Sequence, residues 1–363
     1  MVIEELQVAG YRSVRDVTLR LGQINVLVGP NGCGKTNLYR SLYLLSRAAA
    51  GQLAAAPAEE GGMPSVLWAG ERNRKEPARM TLTLGMEKLA YEITCGLPIP
   101  SLSVFCLDPQ VKEERVWFIE KKKRVVMLER DHTTVRARNA EGMRVSYPLA
   151  LSESESVLSQ LREPEQFPAL AMLCREFLSW RFYHRFRTDA EAPLRQPQIG
   201  VRTFILDHDG HDLAAALQTI LENGDGPGLH AAIDRAFPGA ELKILSDQGR
   251  FQLGLAMPGF RRTFDARELS DGTLHYLCLL AALLTPRPPS LLALNEPEAS
   301  IHPDLLEPLA ELIVGAGRDA QLWITTHSQA LAEHIHRLCG VRPICLEKDS
   351  CGRTVVKSPM ACS

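Results

Sequence analysis

The chain has 363 residues, with 41 lysines and arginines against 43 aspartates and glutamates and a formal net charge of −2; no global field draws it to nucleic acid or a membrane surface, so such contacts need a local patch. That length supplies cores for two or three domains, or for one domain with an insertion. The longest apolar stretch, residues 276–284, is far short of a membrane span, and nine cysteines without a C-x-x-C pair read as reduced cytosolic thiols and not as a secreted disulfide framework.

From the N-terminus, residues 1–6 alternate apolar and acidic side chains and lack the apolar segment of a signal peptide, which predicts a cytoplasmic protein. The apolar run Ile24–Val28 predicts a strand that leads straight into Gly29-Pro30-Asn31-Gly32-Cys33-Gly34-Lys35-Thr36-Asn37, a complete G-x-x-x-x-G-K-T phosphate loop. In such a loop the glycines let successive backbone N–H groups turn inward around phosphates. Lys35 then reaches the terminal phosphates, and the Thr36 hydroxyl is placed to ligate Mg²⁺. Residues 38–45 have helical apolar spacing, so the loop opens a helix whose N-terminus faces the anion. Residues 51–64 are rich in Ala, Gly, Pro and Glu and read as a mobile surface loop.

The middle of the chain predicts strands at 80–84, 89–94, 114–119, 124–128 and 145–147, a pattern of antiparallel hairpins. Lys121, Lys122, Lys123 and Arg124 read as a solvated hairpin end, with a phosphate-contacting patch that includes Arg136 and Arg138 as the alternative. Residues 151–161 and 168–178 carry helical spacing. Residues 180–187 alternate aromatic and basic side chains; this predicts a half-buried strand with an aromatic core face, although such interleaving also suits single-stranded nucleic acid. Asp207 to Asp212 has the residue types of a metal site, yet an Asp-Gly turn with Asp212 capping a helix over 213–221 accounts for it.

Toward the C-terminus, Leu269-Ser270-Asp271-Gly272-Thr273 precedes an apolar helix over 274–284 and makes a second anion site. Residues 291–298, LLALNEPE, have the form of a buried parallel strand that ends in polar side chains, and Glu296 is the candidate for activating water. Gln321–Thr326 predicts a further strand ending on His327-Ser328, which positions an imidazole to hold a γ-phosphate. His302 and Pro303 start a helix with Pro303 at its first position, and a helix over 329–338 and a hairpin around 348–352 follow.

The order of phosphate loop, L-S-x-G-x helix, apolar strand with E-P and strand with T-H-S resembles the ABC-type ATPases. The step Tyr11-Arg12-Ser13 and the run Asn295-Glu296-Pro297-Glu298-Ala299-Ser300-Ile301-His302-Pro303 narrow it to the RecF, SMC and OLD branch, in the E-P-E-x-x-L-H-P form of stand-alone RecF-like ATPases. The resemblance covers residues 1–45 and 265–335; between them it rests on Ala192-Pro193-Leu194-Arg195 and 209–217. It implies an α/β fold, a P-loop ABC-type ATPase head of mixed sheet and flanking helices with an antiparallel β and helical insertion. The expected organisation is an N-terminal ATPase lobe over 1–100, an insertion or lid over 101–265 and a C-terminal ATPase lobe over 266–363.

ATP and Mg²⁺ are the implied ligands. Asn31, Gly32, Cys33, Gly34, Lys35, Thr36 and Asn37 would cradle the phosphates, Thr36 and Asn295 would serve the metal, and Lys35, Glu296 and His327 would act in hydrolysis. Ser270 and Gly272 would cap ATP held by the loop of a second chain, which makes ATP a ligand for homodimerisation. Arg12 and Ser13 would lie near the base or ribose. Gln52 and Gln110 are candidates, by position, for the family's Gln-bearing loop.

Asn295 departs from the pattern, because the family usually has an acid there. An amide keeps an oxygen but lacks the charge that favours a hard dication, so weakened Mg²⁺ affinity and slow turnover are expected. Prolines at 148, 164, 168, 193, 197, 227 and 238 rule out an SMC-type coiled coil in the middle region, and the 36 residues after His327 leave no room for an OLD-type nuclease. The reading is a cytosolic ATPase acting as a switch in DNA maintenance, repair or anti-phage defence, with DNA or a separately encoded effector as partner. A motor subunit of a transporter and a non-hydrolysing ATP-gated scaffold are the alternatives.

Overall fold

Ile3, Leu6, Val8 and Tyr11 are buried along the strand Ile3–Tyr11 while the residues between them reach solvent, the alternation of a sheet with one covered face. This strand pairs antiparallel with Val14–Arg20 on one side and Arg79–Met86 on the other. In the computed structural model, which describes residues 1–72, 75–100, 103–120, 123–147 and 151–357, the sheet continues through Leu89–Gly96, Gln110–Glu120, Lys123–Asp131, Thr134–Arg138 and Arg144–Ser146. All neighbouring pairs in this eight-stranded sheet are antiparallel, so the hairpin pattern read in the middle of the chain is present.

The sheet belongs to the first of two compact units, which takes Met1–Gly22, Gly29–Trp180 and the chain from Ile344 onward. The helix after the phosphate loop, Lys35–Ala49, buries Leu38, Leu42, Leu45 and Ala49 at helical spacing. It packs on the helix Pro168–Ser179, where Ser46 Oγ donates to Phe177 O at 2.9 Å. A hairpin of Ile344–Lys348 and Thr354–Val356 completes the unit.

Two expectations fail in this unit, both through a buried carboxylate. Residues 51–64 are an ordered segment with two one-turn helices, Ala55–Ala58 and Met63–Val66, and not a mobile loop. Leu53 and Met63 are buried, and the Glu60 carboxylate that follows the first turn holds Arg12, Arg40 and Tyr11. Residues 151–161 form a helix only over Val157–Gln160. Buried Arg130 donates to Ser152 O at 2.7 Å and Glu155 O at 2.6 Å, and buried Glu114 accepts from Val157 N at 2.9 Å. Carbonyls that would have extended the helix are thus taken by a guanidinium. Burial pushes the Glu114 carboxyl up, against Arg130, which draws it down.

The second unit takes Gln23–Val28 and Arg181–Pro343. Its parallel strands run in the order Arg181–Tyr183, Leu291–Asn295, Gln321–Thr326, Ile24–Val28. The last three are buried almost throughout, as expected for a sheet covered on both faces. The helices Leu306–Ala316 and Gln329–Cys339 follow their strands. A smaller antiparallel sheet joins Gln198–Ile199, Arg250–Ala256, Glu241–Asp247 and Thr263–Asp265. The aromatic and basic run at 180–187 is a strand only over Arg181–Tyr183, with Phe182, Tyr183 and Phe186 buried and His184 and Arg185 exposed; the alternation ends because the chain leaves the sheet after three residues. Among the described residues seven cysteines are free thiols and Cys345 is disulfide-bonded, a correction to the all-reduced reading.

Candidate nucleotide site

The phosphate loop lies in the first unit. Gly32 and Gly34 have φ of 77° and 110°, a region glycine enters without a steric cost, and a Cβ on Gly34 would stand 2.2 Å from Thr354 Oγ1. Because Gly34 is the N-cap of the 15-residue helix that begins at Lys35, no side chain caps the first N–H groups. Such an uncapped helix start inside a glycine cradle fits a polyphosphate. Lys35 is 5 % exposed, and its ammonium donates to Gly29 O at 2.6 Å and Pro30 O at 3.2 Å, at the neck of the loop. Asn31 and Gly32 are exposed, Cys33 is buried and Thr36 is half-buried.

Three polar side chains brace this loop. Asn37 Nδ2 donates to Ser13 Oγ at 2.9 Å, Ser13 Oγ lies 2.8 Å from Thr354 Oγ1, and Thr354 N donates to Ser13 O at 2.8 Å. Arg12, at the positive-φ turn between two strands, has its Nη2 2.5 Å from Glu60 Oε2. The same carboxylate takes Arg40 at 2.8 Å and the Tyr11 hydroxyl at 2.9 Å, and burial together with Glu60 holds that phenol well above its ordinary pKa. Gln110 is engaged through both ends of its amide, by Glu153 on one side and by Lys112 and Ile99 N on the other, while Gln52 is exposed.

The second unit carries the carboxylates and the histidine. Leu291–Asn295 and Gln321–Thr326 are adjacent parallel strands with Asn295 opposite Thr325, so their C-terminal ends bring two polar turns together. Asn295 Oδ1 accepts from Thr325 Oγ1 at 2.7 Å. Glu296 N donates to Thr325 O at 2.7 Å, and Glu296 holds a φ of 49°, a left-handed conformation that costs a non-glycine residue about 1–3 kcal/mol and is typical of functional turns. Glu298 Oε1 accepts from Thr326 Oγ1 at 2.6 Å, His327 N at 3.1 Å and Ser328 N at 3.2 Å. His327 Nδ1 stands 3.3 Å from Glu298 Oε1 and 3.8 Å from Glu296 Oε1.

Ser270 is the N-cap of the helix Asp271–Leu283 and accepts from Thr273 N at 3.1 Å. A Cβ on Gly272 would meet Ser300 O at 2.4 Å, so the turn after the E-P-E strand admits only glycine there. Buried Arg195 fastens the approach to this helix. It donates to Ala266 O at 2.8 Å, Leu269 O at 2.9 Å and Asp271 Oδ1 at 2.6 Å. Nothing in the quartet that ends on Arg195 signals this task in the sequence, and Glu60, Glu298 and Thr354 gain theirs only from the structure. Glu298 was legible in the E-P-E motif, while Thr354 carried no local signal.

Asp207, Asp209 and His211 bring ligand-type atoms within 4.8 Å of one another. Gly210 N donates to Asp207 O at 3.0 Å, as a turn requires. Asp212 stands at the N-cap of the helix Leu213–Asn223 as expected, but its side chain makes no capping bond; its Oδ1 accepts from Asp207 N at 3.0 Å.

A strand, a glycine loop and an uncapped helix, with a carboxylate and an imidazole at the ends of parallel strands, define an ATPase of the P-loop ABC type. Residues 135–333, more than half the chain, match the family described as "AAA domain, putative AbiEii toxin, Type IV TA system", and residues 1–93 match the family "AAA ATPase domain". The chain belongs to this AAA family.

The solved structures similar to it include an SMC head bound to the C-winged helix domain of ScpA, at 15 % identity and a TM-score of 0.56, covering 98 % of each chain. Another is the Pyrococcus furiosus SMC head with an extended coiled coil, bound to the C-terminal domain of ScpA, at 12 % identity and a TM-score of 0.55, covering 98 % of this chain and 95 % of that one. At these identities the likeness establishes the head fold. No curated protein matches the sequence. Among the described residues no helix is long and apolar enough to cross a membrane.

Proposed function

We propose that this protein binds ATP with Mg²⁺, dimerises on it and hydrolyses it, serving as a nucleotide-gated switch in DNA maintenance or anti-phage defence. The observation that carries this reading is the pairing of Glu296 with His327 at the ends of two adjacent parallel strands in a chain that also holds a complete phosphate loop. Lys35 and the N–H groups of residues 32–36 bind the β- and γ-phosphates, Glu296 takes the proton of the attacking water, and His327 contacts the γ-phosphate. Thr36 would ligate Mg²⁺ with a weaker contribution from Asn295, and the ion would supply charge neutralisation.

Ser270 and Gly272 cap the ATP of a second copy. Ser13 acts on this site by bracing the loop, a task supported by its bonds to Asn37 and Thr354, and Arg12, paired with Glu60, lies near the base or ribose. The description of the matched family as part of a toxin–antitoxin system supports a separately encoded protein partner over a membrane transporter. Light scattering of the Glu296→Gln protein tests the reading. ATP is expected to convert monomer to dimer, and an ATP-independent monomer that also fails to retain nucleotide would overturn it.

A further inference from the structure

Glu298 makes more of its carboxylate than the turn requires. Three donors, the Thr326 hydroxyl and the amides of His327 and Ser328, converge on Oε1, while Oε2 is buried and has no hydrogen-bond partner. The residue is 8 % exposed. A glutamine would accept the same three bonds through its amide oxygen without carrying a charge into the interior, where an uncompensated anion is costly. Holding the turn therefore does not account for the acid.

The groups around it do. His327 Nδ1 is 3.3 Å from Oε1, with Glu296 Oε1 on the same nitrogen at 3.8 Å. The other imidazole nearby, His275, lies with Nε2 3.1 Å from Pro297 O, and burial pulls its pKa down so that it stays neutral, against a smaller upward pull from Glu298. The charge of Glu298 thus acts on His327. A carboxylate oxygen 3.3 Å from Nδ1 favours a proton on that nitrogen and draws the ring toward it by charge attraction, not by an aligned hydrogen bond, which biases what Nε2 presents to a ligand.

We infer that Glu298 is a positioning residue that sets the tautomer and orientation of His327 and thereby ties the E-P-E turn to the T-H-S turn. The functional consequence rests on the proposed ATPase reading; the tautomer does not. Glu296, held by its left-handed backbone and by Thr325 O, shares the same imidazole. A displaced ring therefore also removes the partner beside the water-activating carboxylate.

Glu298→Gln and Glu298→Ala separate the charge from the bonds. In ¹⁵N-edited spectra of the imidazoles, assigned with a His327→Gln control, the wild-type protein is expected to show His327 with its proton on Nδ1. In Glu298→Gln that signature is expected to move toward the Nε2–H form while circular dichroism and melting temperature stay near wild type. In ATPase assays Glu298→Gln is expected to lose about tenfold or more in kcat with KM for ATP little changed, the scale of a misplaced proton-handling group, and Glu298→Asp to recover part of it. Glu298→Ala is expected to lower the melting temperature as well, since it also removes the three bonds. An unchanged His327 tautomer in a folded Glu298→Gln protein overturns the inference whether or not the wild type hydrolyses ATP. Wild-type turnover that Glu298→Gln leaves intact overturns it as well. Absence of wild-type turnover with the tautomer shift present would count against the ATPase reading alone.

Discussion

Asn295 and Thr325 face each other across two parallel strands, and the amide oxygen of Asn295 accepts the Thr325 hydroxyl at 2.7 Å. An aspartate would accept the same bond, so Asn295→Asp adds a charge without dismantling the pair. That substitution is expected to tighten the Mg²⁺ dependence of ATP hydrolysis and to leave turnover equal or faster, because a hard dication prefers anionic oxygen. Titration of the ATPase rate with Mg²⁺ checks it, and weaker apparent Mg²⁺ affinity would contradict the assignment of Asn295 to the metal.

Substitutions at Lys35 and at Glu296 should have separable effects. Lys35→Ala is expected to abolish retention of nucleotide, whereas Glu296→Gln keeps it and slows hydrolysis by roughly two orders of magnitude or more. Equilibrium binding of a fluorescent ATP analogue, read beside phosphate release, distinguishes them. A normal rate in Glu296→Gln would remove that residue from the chemistry.

The capping helix can be tested without touching the loop. Ser270→Arg introduces a bulky cation at the helix start and is expected to block the ATP-dependent dimer while single-chain ATP binding persists. Arg195→Ala, which strips several charge-assisted bonds from the residues before that helix, should weaken the dimer too and lower stability by about 2–3 kcal/mol or more. Light scattering and urea denaturation read the two effects.

Glu114 and Arg130 are fully buried and 3.5 Å apart. Arg130→Met leaves the carboxylate without its cation and is expected to cost about 3–5 kcal/mol. The carboxyl is already raised by burial and rises further in the variant, so the folded state binds the proton more tightly than the unfolded chain does. Stability lost at neutral pH should therefore return as the pH falls through the folded-state pKa, levelling off below the unfolded value. Urea midpoints measured from pH 8 to pH 4 would show this slope, and a pH-independent loss would point to packing instead.

Direct DNA binding makes a sharp demand of a chain with net charge −2. Of the proposed patch, Lys121 and Lys122 lie outside the described residues, Lys123, Arg124 and Arg136 are exposed, and Arg138 is spent on Val126 O and Gly142 O. If this surface binds DNA, replacing Lys121, Lys122 and Lys123 by Gln should flatten the salt dependence by up to about three phosphate contacts while basal ATPase activity stays unchanged. No retention of DNA by the ATP-trapped Glu296→Gln protein at low salt would leave a protein effector as the partner.

Local chemistry made much of this fold legible. The glycine loop, the Ser270 cap and the strands that end on Glu296 and His327 are specified by residues within a few positions of one another, where backbone preference and burial agree. Residues 51–64 and 151–161 depart from expectation for one shared reason: their conformation depends on side chains from other elements, Arg40 of the helix Lys35–Ala49 for Glu60 and the strand pair Glu114–Arg130 for the second segment. Composition marks the first segment as loop-like and spacing marks the second as helical, but neither carries a record of a buried charge that redirects the backbone.

Thr354 packs against Gly34 and bonds Ser13, a residue 341 positions earlier. During synthesis the phosphate loop is made long before that threonine exists, an interval of roughly 15–65 s at ordinary elongation rates. The loop therefore lacks the Thr354 part of its brace on every shorter nascent chain, and keeps only the bond from Asn37 to Ser13. A prematurely terminated product would thus carry the G-x-x-x-x-G-K-T motif intact yet lack the Thr354 contacts to Gly34 and Ser13.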